Sequence, residues 1–266
     1  MTTEGVRGDL TVLTLSVALA FVILFGLGTW QLDRKAKKEV LIEQIQSRAT
    51  AEPIILDGAV TLFQSGQDLE YTPVRARGRF LHEKEMFYYA SGPTGPGYHV
   101  YTPLVGPSGV VLIVNRGFIP DSERKIPRAA KTENATAEVI GLLRRPGTTA
   151  MFTPANDPAR NMWYWRDLEG MANQLLGSFP GTRKQVLPFF IDAISAPPGT
   201  KPAPGEPRGG VTRLELPNRH LEYALTWYGL AATLIGVYIA FIRSHRQTVR
   251  ERNILGASRR RSWGKT

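Results

Sequence analysis

The 266-residue sequence contains no cysteine. A chain without thiols forms no disulfides, iron–sulfur clusters or thiolate metal sites, and it has no cysteine nucleophile. This absence does not identify the cellular compartment, because exported proteins also fold without disulfides. Copper delivery is disfavoured as well, since Cu(I) prefers soft sulfur ligands and the only sulfur here belongs to five methionines.

The sequence also lacks the residue patterns of common catalytic sites. No two carboxylates have a spacing that indicates acid–base catalysis, and Asp192 is interpreted as a strand-end residue. The histidines are too scattered for a metal triad; His82 and His99 are predicted to be surface or hydrogen-bonded residues, and His245 belongs to a basic tail. No hydrolase, kinase or redox signature is recognisable. We therefore expect a protein that is not an enzyme.

The positive charge of the chain is concentrated at one end. The net charge is +10, and the segment from Arg243 to Thr266 holds eight Lys or Arg residues against one acidic residue. A basic tail next to a hydrophobic segment is typical of a membrane protein rather than of a nucleic-acid-binding protein. We therefore expect membrane lipid, and no nucleic acid, among the partners.

Two runs without charge are long enough to cross a membrane. No charged residue occurs within Leu10–Leu32 or within Tyr223–Ile242, and a helix needs about 20 apolar residues to span the hydrocarbon core. The pattern predicts two transmembrane helices, at 10–30 and at 218–242 including its outer entry. A cleavable signal peptide is the alternative for the first run, but this run is long and only one basic residue, Arg7, precedes it.

The basic tail determines the predicted topology. Lys and Arg next to a span favour the cytoplasm, so 243–266 is predicted to be a cytoplasmic tail and 1–9 a short cytoplasmic N-terminus. Residues 31–217 then form an extracytoplasmic domain. Basic residues after the first span favour the opposite orientation, but the tail is larger and long domains are translocated largely regardless of charge. These opposing residues are Arg34, Lys35, Lys37 and Lys38.

The segment between the spans is rich in predicted strands. Short apolar runs are bounded by glycine or proline, which is typical of a small barrel or a sandwich. Two helices are predicted, Glu39–Arg48 as a continuation of the first span and Asp167–Leu176. The fold class is therefore a membrane protein whose two transmembrane helices flank a β-rich (α+β) extracytoplasmic domain. The predicted strands are Thr72–Phe80, Glu85–Ala90, Tyr98–Val105, Val110–Asn115, Glu138–Leu143, Trp163–Trp165, Phe189–Ile194 and Val211–Leu216.

His220 stands at the start of the second span, one helical turn before Tyr223 and two before Trp227. This spacing places an imidazole and two aromatic rings along one stripe of the helix. An imidazole beside a gap walled by aromatic rings suits axial ligation of heme iron. The alternative is structural, because aromatic and polar residues gather at membrane interfaces as anchors.

The end of the first span is predicted to lie at the same membrane depth as His220, because the two spans run antiparallel. The residues at this end are Trp30, Gln31 and Arg34. Arg34 would neutralise a heme propionate there, or it would reach lipid phosphate instead.

Both spans carry small residues at four-residue spacing. Such spacing permits close helix packing, either within the chain or against another membrane protein. The small residues are Ser16, Ala20 and Gly28 on the first span and Ala232, Gly236 and Ala240 on the second.

Three sequence blocks carry a resemblance to a known family. They are Gly28–Gln31 (GTWQ) with Arg34 and Lys38, Val114–Pro120 (VNRGFIP), and Pro217–Trp227 (PNRHLEYALTW). With these blocks in order between two spans, the chain resembles the surfeit-locus family of cytochrome c oxidase assembly proteins from about Phe25 to Arg243. Phe118 stands where a tryptophan is common in that family. The N-terminus has no Arg- and Ser-rich transit region, so we expect a bacterial inner membrane with the main domain in the periplasm.

The resemblance implies an assembly factor, or chaperone, for heme-copper cytochrome c oxidase. Such a factor would bind heme a transiently and assist its insertion into the oxidase catalytic subunit, which is the expected partner together with a heme a synthase. His220 matches the family's second-span histidine and would be the axial ligand of the heme iron. The implied heme surroundings are Trp30, Gln31, Arg34, Tyr223 and Trp227.

Two other functions are compatible with the sequence. A heme-independent membrane scaffold would stabilise the oxidase subunit during assembly without binding heme. A membrane-anchored enzyme that modifies heme would need an acid–base or metal site, and the sequence reveals none.

Overall fold

The structure is a computed structural model, and it divides the chain into two compact units. The first unit contains residues 1–42 together with 215–266, and the second contains residues 43–214. The structure describes residues 3–92, 95–126, 136–177, 185–194, 205–210, 212 and 216–263.

The first unit is built from two long helices, α1 (Thr3–Ala49) and α4 (His220–Trp263). Both are long and apolar enough to cross a membrane. Helix α1 continues without a break through the predicted amphipathic segment Glu39–Arg48, which confirms that segment as helical. The membrane boundaries at 10–30 and 218–242 stay predictions, because α1 extends beyond both ends of the first and α4 begins at His220 and continues past residue 242.

Polar and aromatic side chains join the two helices in an antiparallel arrangement. The hydroxyl groups of Thr14 and Tyr238 lie 2.7 Å apart, and those of Thr29 and Tyr228 lie 3.1 Å apart. Between these contacts, a Cβ added to Gly28 would lie 2.6 Å from the Tyr228 ring. Glycine therefore permits the aromatic ring to pack directly on the α1 backbone.

The small residues of the second span do not all face α1. Ala224 and Ala231 are buried, whereas Ala232 and Gly236 are exposed, and a Cβ added to Gly236 would meet nothing within 4 Å. Packing within the chain therefore does not explain the small residues around Gly236. For these residues, packing against another membrane protein stays a prediction.

Five strands of the second unit close into a barrel. The described residues of this unit form eight strands in all. They are β1 (Ile54–Ile55), β2 (Pro73–Phe80), β3 (Met86–Gly92), β4 (Gly95–Val105), β5 (Val111–Pro120), β6 (Ala137–Arg144), β7 (Met162–Trp163) and β8 (Val186–Ala193). The barrel order is β2, β6, β8, β5 and β4, and it closes because the end of β2 also pairs with β4. Strands β5 and β8 are parallel, whereas the other barrel pairs are antiparallel.

The predicted barrel or sandwich is thus a barrel. Six of the eight predicted strands overlap observed strands over most of their length, and Trp163–Trp165 overlaps β7 only at Trp163. The eighth, Val211–Leu216, falls mostly outside the described residues. The predicted helix is confirmed as α3 (Leu168–Leu176), and Asp167 caps it by accepting a hydrogen bond from the backbone N–H of Gly170. Helix α2 (Leu56–Gln64) was not predicted, because Ile55 precedes it instead of a capping side chain.

Strand alternation places the two larger clusters of the core on opposite faces of β5. Leu112 and Val114 belong to a cluster that is covered by α2, whereas Ile113 belongs to a second cluster with Trp163 and Met171 of α3. Successive side chains of a strand point to opposite faces, so a neighbour two positions along shares a face. By this rule Asn115 lies on the face of Ile113, and a polar group therefore continues the second cluster.

Candidate functional site

The structure brings two of the predicted site residues, His220 and Gln31, into direct contact between the two long helices. His220 Nδ1 lies 2.8 Å from Gln31 Oε1, across the two helices of the first unit. The carbonyl oxygen of an amide accepts hydrogen bonds, so the Nδ1 atom of the imidazole carries the proton. The lone pair of Nε2 is then the one available to a metal ion.

The position of His220 follows from the packing of α4. His220, Ala224 and Tyr228 lie one turn apart on the helix face that bonds to α1, and Ala224 is buried there. Pro217 cannot donate a helical hydrogen bond, and α4 begins three residues later at His220 itself. The imidazole is consequently half-buried at the first turn of the helix.

The other predicted site residues are less closely associated with His220. Trp30 is 51% exposed, and the Arg34 guanidinium lies over its ring at 5.7 Å from the centroid. Tyr223 is 53% exposed, whereas Trp227 is half-buried. Among the described residues, no hydrogen bond or ring contact joins either of these two aromatic residues to His220.

The donor set at His220 fits axial ligation of heme iron. A neutral imidazole whose Nδ1–H is held by a neighbouring oxygen is the usual form of a histidine ligand, because the hydrogen bond fixes the tautomer and the ring orientation. In the described part of the chain, no group of three or more His, Asp or Glu residues is arranged to hold a metal ion. His220 itself offers one ring nitrogen, Nε2, to a metal ion.

A second polar group lies in the barrel and was not predicted. Asp192 is 5% exposed and accepts hydrogen bonds from Asn115 Nδ2 at 2.9 Å, Arg144 Nη1 at 3.0 Å and Thr212 Oγ1 at 2.8 Å. We call these four residues the Asp192 cluster. Burial opposes the charge of Arg144, but the Asp192 carboxylate and a hydrogen bond to Glu70 outweigh it and raise the pKa of the guanidinium. Asp192 is therefore a buried ion-pair residue and not merely the end of a strand.

The VNRGFIP block forms the other side of this cluster. Asn115 Oδ1 accepts a hydrogen bond from the backbone N–H of Gly117 at 3.0 Å, while its Nδ2 donates to Asp192. The register between β4 and β5 shifts at this point, and Gly117 has a φ of 125°. A bulge of this kind redirects side chains next to functional sites. The block was recognisable only as a family signature, because its partners are distant in the sequence.

His99 lies beside the Asp192 cluster, and its environment differs from the prediction. Its Nδ1 atom is buried and has no hydrogen-bond partner. Burial lowers the pKa of His99 below its ordinary range; the Asp192 carboxylate opposes this effect, and Arg166 adds to it. By contrast, His82 Nδ1 lies 3.4 Å from Glu85 and 3.2 Å from Arg116, as expected for a hydrogen-bonded residue.

We expect the domain to lose stability in acid through His99. The unfolded chain binds a proton on the His99 imidazole more readily than the folded chain does. The stability that neutral His99 contributes is therefore fully present above its ordinary pKa of about 6.5, and it is lost as the pH falls through the lowered pKa. His99→Gln should flatten the fall in unfolding free energy between about pH 7 and pH 5 by up to about 1.4 kcal/mol per pH unit. Urea-dependent pulse proteolysis of the full chain measures this, with His245→Gln as the control. An unchanged pH profile in His99→Gln would contradict the assignment.

Comparison with known proteins identifies relatives that match most of the chain. The sequence model of the SURF1 family matches residues 18–232. Surfeit locus protein 1 of Mus musculus is 38% identical over 243 residues, covering 84% of this chain and 73% of the mouse protein. The Homo sapiens protein of the same name is 37% identical over 229 residues, covering 79% and 71%. A SURF1-like protein of Monosiga brevicollis is 34% identical over 237 residues, covering 84% of both chains.

Proposed function

The chain belongs to the SURF1 family, and from this premise we propose that it is an assembly factor for heme-copper cytochrome c oxidase. In this proposal it holds heme a transiently, through His220, and assists its insertion into the oxidase catalytic subunit. The activity is that of a carrier and chaperone, not of an enzyme. The partners are the catalytic subunit and a heme a synthase.

One observation carries the heme part of the proposal, namely the hydrogen bond from His220 to Gln31. It connects the two apolar helices and leaves Nε2 of the imidazole without a hydrogen bond among the described residues. When bound, heme a would supply iron as the acceptor for this lone pair. Gln31 would orient the ring, and Trp30 with Arg34 would stand at the same end of the helix pair. A single protein ligand is compatible with a hold that is released on transfer.

Replacing His220 tests this assignment directly. The full chain, purified in detergent from cells that make heme a, should show a heme a band in its optical spectrum, and His220→Ala should remove this band. The loss follows because the described residues around His220 offer no second imidazole. His245→Ala, in the same helix, is the matched control and should keep the band. Gln31→Leu should weaken binding about 10- to 100-fold, as expected for the partner of a ligating histidine.

The outcomes separate the heme carrier from its alternative. Unchanged heme content in His220→Ala would overturn the ligand assignment. A parent protein without any heme band would favour the heme-independent scaffold. That alternative has its own support, because Ala232 and Gly236 face away from the chain's own contacts and allow close approach of another membrane helix.

We place the protein in a bacterial inner membrane with the barrel in the periplasm. The support is the basic end of α4, since Lys and Arg beside a span favour the cytoplasm. Arg243 and Arg246 line a cleft with Thr14 and Tyr238 between the two helices. Basic clefts at such a position bind anionic lipid head groups, which supports membrane lipid as a partner.

A further inference from the structure

A polar cavity of about 240 Å³ opens beside the Asp192 cluster in the barrel unit. Its remaining walls are formed by Tyr88, His99, Tyr101 and Arg166. The strand register explains the cavity, because Tyr101, Asn115 and Asp192 are paired neighbours on β4, β5 and β8 and therefore share one face. Six of the eight lining residues thus belong to the sheet, whereas Arg166 and Thr212 belong to connecting segments.

The groups lining the cavity are not equally satisfied. The Asp192 carboxylate already accepts three hydrogen bonds, so it has little capacity left for a ligand. Arg166, by contrast, has no side-chain hydrogen bond or ion pair with any residue that the structure describes. The buried Nδ1 of His99 is also without a partner. Buried polar groups are normally hydrogen-bonded, so the unsatisfied His99 nitrogen indicates a ligand, and the half-buried Arg166 beside it offers that ligand a positive charge.

We propose that this cavity binds an organic monocarboxylate. The Arg166 guanidinium pairs with the carboxylate, because its planar fork matches the two oxygens. His99 supplies a further hydrogen bond, and the rings of Tyr88 and Tyr101 contact the hydrocarbon part. The cavity is smaller than the 300–1,000 Å³ that is usual for drug-sized ligands, so it accommodates a short chain.

The charges around the cavity favour a single negative charge over a phosphate. Asp192 neutralises Arg144 within the cavity wall, which leaves Arg166 as the cation to be balanced among the lining residues that the structure describes. Glu70 also bonds Arg144, but it does not line the cavity, and it accepts a hydrogen bond from the Arg145 backbone. A dianion would carry excess negative charge next to Asp192, and like charges at that distance repel.

The test is a titration of the heme-free full chain, from cells that do not make heme a, so that it is independent of the proposed function. Saturation-transfer NMR in a phosphate-free buffer would follow acetate, propionate, butyrate and pentanoate. Arg166→Gln should weaken propionate binding about tenfold or more, as expected for the loss of one charge-assisted hydrogen bond. Arg160→Gln is the matched control, because the Arg160 side chain is 84% exposed, pairs with Asp157 and does not line the cavity.

Each outcome decides the proposal. Propionate binding that is lost in Arg166→Gln and kept in Arg160→Gln supports it. If affinity rises from acetate through pentanoate, the ligand is the carboxylate end of a longer molecule. If affinity levels off within this series, the ligand is a short free acid. No propionate signal in the parent, equal binding in the two variants, or stronger competition by inorganic phosphate would overturn it. Pulse proteolysis of Arg166→Gln verifies that the variant is folded.

Discussion

Gly117→Ala is expected to destabilise the barrel severely. At a φ of 125°, an L side chain is strained, and a Cβ there would collide with the carbonyl oxygen of Arg208. That carbonyl cannot move aside, because Arg208 pairs with Phe118 through two backbone hydrogen bonds of 2.9 and 3.0 Å. Backbone strain and overpacking together should cost roughly 3–5 kcal/mol, which is a large part of a domain's stability. Pulse proteolysis of the full chain in urea would measure the loss.

Gly109→Ala separates the collision from the backbone strain. Gly109 also has a positive φ, 78°, but a Cβ there would meet nothing within 4 Å. Gly109→Ala should therefore lose only the part of the unfolding free energy that is due to backbone strain, about 1–2 kcal/mol. An equal loss in the two variants would show that the approach of Arg208 is not what requires glycine at position 117.

The strands could be predicted where their cause is local. Alternating apolar residues between glycine and proline mark most barrel strands within a few residues of their observed ends. The exception is instructive: the predicted run Val110–Asn115 ends at the polar residue, whereas β5 continues to Pro120. The strand continues because the bulge at Gly117 and the hydrogen bonds of Asn115 satisfy the polar groups that interrupt the pattern.

The level of His220 and Gln31 could also be predicted, because two antiparallel spans of similar length place their ends at one depth. The rotation of α4 could not. Tyr223 and Ala224 are adjacent in sequence, yet the first is exposed and the second is buried. The rotation of α4 about its own axis depends on the packing of Tyr228 against Gly28, and these two residues are 200 positions apart in the chain.

The Asp192 cluster was missed because its members come from distant segments. Asn115 and Arg144 are 77 and 48 positions away from Asp192, so no local spacing marks the carboxylate as paired. Sequence motifs report groups that one helix or loop brings together. A closed barrel instead joins β5, β6 and β8 side by side, and the ion pair is a property of that closure.

Asp192→Ala is expected to destabilise the barrel by about 3 kcal/mol, the lower part of the range for breaking a buried ion pair. The variant leaves Asn115, Arg144 and Thr212 without their common acceptor, and the side chain of Arg144 is only 15% exposed. Arg144 keeps its bond to Glu70, which limits the loss. Urea-dependent pulse proteolysis provides the measurement. Asp57→Ala, an exposed carboxylate on α2, should change stability by no more than about 0.5 kcal/mol.

A double-mutant cycle attributes this loss to the pair. If Asp192 matters because it balances Arg144, then Arg144→Ala should be less damaging when Asp192 is already alanine. The coupling should exceed about 1 kcal/mol, since residues in one ion-pair network do not act additively. Additive losses would mean that Asp192 stabilises the barrel through Asn115 and the bulge alone.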